Sequence, residues 1–158
     1  MVAYADWSEE TERLLIDAGW YPGRRQDERV ATWRRDLAET DAFQMFPAAE
    51  VALKEFGGIN VRGDGPGIEC ARGSVELDPE LAQGERERFE RFRDIVGQDI
   101  FPLGEAHDGH AFLAIDRIGR VLLIGDEVQF VGSNIQSALD AILTGRLPRR
   151  LNNERRGI

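Results

Sequence analysis

His110-Ala111-Phe112-Leu113-Ala114-Ile115, then Asp116-Arg117-Ile118-Gly119, then Val121-Leu122-Leu123-Ile124, is the stretch whose reading decides the fold. Two apolar runs flank a four-residue link. Asp at the first position of a turn accepts a hydrogen bond from its own backbone two residues on, and Gly at the last tolerates a positive φ. The stretch therefore predicts a β-hairpin. Apolar–polar alternation lapses in Leu122-Leu123-Ile124, which points to a strand covered on both faces and so interior to its sheet. Upstream, Phe101-Pro102-Leu103-Gly104 reads as an apolar lead-in and residues 105–108 as an acidic corner. Downstream, residues 127–131 read as another strand.

Outward from the hairpin the chain reads as helices, then short strands, a helix, more strands and a last helix. Ser8 before Glu9, Glu10 and Glu12 is an N-cap followed by acids suited to the positive end of a helix. Thr11, Leu14, Leu15 and Ala18 share one face of that helix, and Gly19 ends it. Residues 27–39 predict a second helix with Val30, Trp33 and Leu37 inward. Pro47 opens a third, with Ala49, Leu53 and Phe56 on one side and Gly57-Gly58 stopping it. Ile59-Asn60-Val61 reads as a short strand, the glycine-rich residues 63–67 as a turn, and residues 68–71 as the antiparallel partner. Val75-Glu76-Leu77 is a further short strand. Within 79–96, Gly84 splits a short helical piece from a longer one that turns Phe89, Phe92, Ile95 and Val96 inward. The mixed charges of that longer piece read as a solvated face. Ser133 or Asn134 caps a last helix carrying Ile135, Ala138, Leu139 and Ile142, closed by Gly145 and Pro148. The expectation is an α+β fold, a mainly antiparallel sheet with flanking helices, because hairpins dominate and regular βαβ alternation is missing.

At 158 residues the chain is expected to form one domain, spanning 1–148, with a basic, flexible tail over 149–158. A domain of that size buries roughly two thirds of its unfolded surface without disulfides or metals. Acids outnumber bases, 29 to 20, for a formal charge of −9. Phosphate binding draws on clustered cations, so this balance argues against nucleic acid and anionic membrane as partners. It favours a basic partner, or serves solubility alone. The one cysteine, Cys70, excludes an internal disulfide and reads as a small buried apolar residue. Residues 1–6 lack the basic start and apolar core of a signal peptide, and no run approaches membrane-spanning length, so a cytoplasmic protein is expected.

Few side chains are arranged for chemistry. His107 and His110, with Asp108 and Glu105 close in sequence, form a candidate metal set and, through it, a metal-dependent hydrolase. The competing reading makes His107 a turn residue and His110 a strand-edge side chain, and the helix-borne HExxH spacing is absent. Ser74 and Ser133 lie outside any G-x-S-x-G elbow. The glycines of 57–67 contain no GxGxxG, and Lys54, the single lysine, sits inside a helix rather than a phosphate loop. No enzyme emerges and no cofactor is expected. Trp20 and Tyr21 are candidate interface anchors, set against a core role after a helix C-terminus. Glu76, Asp78, Glu105, Asp108, Asp116, Asp126 and Glu127 fall at strand ends and turns. Gathered on one rim of the sheet, they would attract a basic protein.

The order of these blocks is similar to one branch of the SUKH superfamily. The resemblance begins with Ser8-Glu9-Glu10-Thr11, Leu14-Leu15 and Gly19-Trp20-Tyr21-Pro22-Gly23-Arg24. It continues through Phe46-Pro47-Ala48-Ala49, Glu55-Phe56-Gly57-Gly58 and Glu76-Leu77-Asp78-Pro79. Phe101-Pro102-Leu103-Gly104-Glu105, then Gly109-His110-Ala111-Phe112-Leu113-Ala114-Ile115-Asp116 and Gly119-Arg120-Val121, resemble the signature of the third immunity group. Ala138-Leu139-Asp140-Ala141-Ile142-Leu143-Thr144-Gly145 completes the likeness, which spans residues 8–148. It implies a SUKH-like single domain and a non-enzymatic bacterial immunity protein that binds a cognate polymorphic toxin and occludes it. Toxins of such systems are often nucleases with basic active sites. A regulatory or scaffolding domain on the same fold is the alternative.

Overall fold

A computed structural model describes residues 7–151. Five helices run in chain order, α1 (Glu9–Asp17), α2 (Asp27–Asp41), α3 (Pro47–Phe56), α4 (Arg86–Val96) and α5 (Ile135–Thr144). A 3₁₀ turn, Pro79–Ala82, precedes α4. The strands are β1 (Asn60–Val61), β2 (Val75–Glu76), β3 (Ile100–Ala106), β4 (Ala111–Asp116), β5 (Val121–Ile124), β6 (Val128–Gly132) and β7 (Arg149–Leu151). They form one seven-stranded sheet in sequence order, antiparallel throughout. The domain is thus α+β, as expected. No helix of the described residues is long and apolar enough to cross a membrane.

The hairpin forms by the mechanism its residues suggested. The Asp116 carboxylate accepts from the Ile118 N–H at 3.1 Å and the Arg120 N–H at 2.9 Å, and Gly119 takes φ +96°. All four residues of β5 are buried, and β4 and β6 pair on either side of it. Phe89 of α4 meets Phe112 of β4 at 5.9 Å between ring centroids, while α5 packs along β6. Helix ends also match: the Ser8 hydroxyl accepts from the Thr11 N–H, and Asn134 caps α5 in a reciprocal pair with Ser137.

Three expectations are corrected. Phe101 to Gly104 is no lead-in but the body of β3, the longest strand of the sheet. Pro102 removes a ladder donor, and the register shifts between Pro102 and Gly104, so the alternation that marks a strand is broken there. Gly104 is required: at φ +151°, a β-carbon would lie 1.9 Å from the Glu76 carbonyl oxygen.

Residues 68–71 do not pair with β1. That partner is β2, with Asn60 opposite Glu76 and Val61 opposite Val75. The loop instead satisfies the carbonyls that α5 leaves open at its C-terminus. Ile68 N–H donates to Thr144 O at 2.9 Å, Glu69 and Cys70 N–H to Gly145 O at 2.7 and 2.9 Å, and Gly73 N–H to Ile142 O at 2.9 Å. Arg72 adds a contact to Leu143 O at 3.4 Å and pairs with Glu10 of α1 at 2.8 Å, tying three segments together. Cys70 is partly exposed in this loop rather than in the core.

The tail expected from Arg149 supplies an edge strand instead. Arg149, Arg150 and Leu151 lie opposite Phe130, Gln129 and Val128. The Arg149 guanidinium stands 4.7 Å over the Phe130 ring, which holds a basic stretch against the sheet. The remainder of that expectation, residues 152–158, and the reading of 1–6 lie outside the described residues.

Candidate partner-binding surface

The nine side chains singled out for partner binding do not form one rim. Trp20 is 2% exposed, stacked on Phe56 and edge-on to Trp7, with its indole N–H donating to Glu55 at 3.0 Å. It is core: a buried indole gains packing on both faces, which outweighs any role outside. Tyr21, one residue on, is 55% exposed. Asp116 is also removed from the surface, being fully buried in the β4–β5 turn with Arg120 on its second oxygen at 2.6 Å. Its charge is spent on the turn.

The turns at the opposite end of the sheet hold three of the others. Gly125, in the β5–β6 turn, lies close to the His110 carbonyl of the β3–β4 turn, so Asp108, Asp126 and Glu127 share that end. Charge there is partly neutralised. Glu127 pairs with Arg150 of β7, and Arg88 of α4 donates to the Gly125 carbonyl at 3.2 Å.

Uncompensated charge collects at β2 and β3. Glu76 and Glu105 are direct partners in the ladder, two carboxylates facing each other on neighbouring strands. They line a cleft of about 310 Å³ with Asn60, Arg62, Ser74 and Asp108. The Ser74 hydroxyl donates to the Asp108 carboxylate and accepts from the Asp108 N–H, both at 2.9 Å, which fixes that side chain at the cleft mouth. Asp78, just beyond β2, caps the 3₁₀ turn by accepting from the Glu80 N–H at 3.0 Å.

The titration directions map this field. Burial, then Glu76, then Asp78 push the Glu105 carboxyl above its ordinary range. Burial, then Asp78, then Asp36 of α2 do the same to Glu80. Asp78 thus acts on both Glu80 and Glu105, which links the acid of the 3₁₀ turn to those of the cleft. None of Glu76, Asp78, Glu80, Glu105 or Asp108 makes an ion pair among the described residues, whereas Glu50, Glu85, Asp99 and Glu127 all do. Arg62 is the one basic side chain lining the cleft.

Glu80 and Asp36 were missed in the sequence. Glu80 had a signal, since an Asp-Pro N-cap places the next acid beside the capping carboxylate. Asp36 had none, because only tertiary packing brings α2 to the turn.

The histidines do not converge on a metal-like site. His107, at φ +54°, lies against the Gly73 backbone, and burial, then His110, hold its imidazole below the ordinary range while Asp108 pulls the other way. His110 is exposed. Among the described residues no three His, Cys, Asp or Glu side chains stand close enough to share a metal ion.

Like charges opposed across a ladder destabilise the free protein, and a guanidinium or ammonium between them relieves the repulsion with charge-assisted hydrogen bonds.

Comparison with known proteins places the chain at the level of family. No curated protein and no solved structure matches the chain. The family model for the SUKH-3 immunity protein matches residues 7–145, which run from Trp7 in the aromatic core to Gly145 at the end of α5. Only β7, of all the described elements, falls outside that span, and on this ground the chain belongs to the SUKH-3 immunity protein family.

Proposed function

We propose that this chain binds a cognate polymorphic toxin and neutralises it by occlusion, acting by association rather than catalysis and without a cofactor. The family supports the immunity role. The observation that carries the mode of binding is the opposed pair Glu76 and Glu105, flanked by Asp78, Glu80 and Asp108 and left without ion partners among the described residues. The partner presents a basic face, as a nuclease-type toxin does around its active site. Long-range attraction to the acidic surface speeds encounter, and Arg or Lys side chains then take the places that the fold leaves open. Asp126 and Glu127 extend the attractive field, and exposed Tyr21 supplies an aromatic contact. The site of action is the cytoplasm, with neither nucleic acid nor membrane as the target.

Co-expression with a candidate cognate toxin tests the role. Survival of cells carrying both, with death of cells carrying the toxin alone, is the expected result. Equal killing with and without this chain would reject that toxin as the partner.

A further inference from the structure

We draw no further inference here: the strongest candidate, the apolar groove between α3 and the start of α5, floored by Ile115 and flanked by exposed Val51, has nothing in the structure to show what covers it.

Discussion

Replacing Glu105 by Gln separates the demands of folding from those of binding. The substitution keeps the shape and hydrogen-bonding capacity of the side chain and removes one of two charges that face each other across β2 and β3. Cross-strand pairs of this kind are worth roughly 0.2–1 kcal/mol. Water reaches Glu105, so screening holds the gain near the middle of that range, about 0.5 kcal/mol. For a chain of this size that is a rise in Tm of roughly 1–2 °C. The pH dependence has a definite sign. Because burial, Glu76 and Asp78 raise the folded-state pKa of Glu105, the folded form holds its proton more tightly than the unfolded form. The penalty is absent below the ordinary carboxylate range, develops as pH rises through the folded pKa, and is complete above it. Urea unfolding of both proteins at neutral pH and at pH 3 reads this directly. Glu105→Gln is expected to shift the midpoint upward at neutral pH with an unchanged m-value, and to lose that advantage at pH 3. Added salt is expected to shrink the neutral-pH gain. Glu87→Gln, exposed in the first turn of α4 where an acid favours the helix N-terminus, serves as the control and is expected to lower the midpoint slightly rather than raise it. A Glu105→Gln variant less stable than the parent at neutral pH, or equally favoured at pH 3, would refute the reasoning.

Three further substitutions test the frame around the surface. Gly104→Ala sets a β-carbon 1.9 Å from the Glu76 carbonyl at φ +151°, so β2 must separate from β3; a loss of about 3 kcal/mol in chemical denaturation is expected, with soluble expression reduced. Asp116→Ala takes away a fully buried acceptor of two backbone N–H groups and the Arg120 guanidinium; a loss of about 3 kcal/mol is expected, while the molecules that remain folded keep their affinity for the toxin. Arg72→Ala removes the tie to α1 and loosens the 68–73 loop on α5, a loss of about 1 kcal/mol that hydrogen exchange localises to the amides of Ile68, Cys70 and Gly73.

Much of the fold was legible because its signals are local. Ser8, Pro47, Asn134 and Gly145 mark helix ends through groups within a few residues of each other, and Asp116 builds its turn from its own neighbours. Strand β3 was hidden for the complementary reason. Its bulge and Gly104 make sense only beside β2, which lies far off in sequence. The 68–71 loop has strand-like composition, yet the open carbonyls of α5 took its donors once the chain folded. The candidate surface divided along the same line. Composition located the acids at turns and strand ends. Only register decided that Glu76 faces Glu105 and that Glu127 is met by Arg150. The place of Trp20 after a helix C-terminus signalled a core role, but its partners Phe56 and Trp7 came only with packing.

Association kinetics with the cognate toxin, measured for the parent chain and for Glu76→Gln/Glu105→Gln over a range of salt, address the central claim most directly. The account predicts an association rate that falls steeply with salt for the parent, and a slower, much flatter response for the double variant, which is at least as stable as the parent. Equal rates for the two proteins at every salt concentration, with both folded and both bound to the toxin, would contradict it.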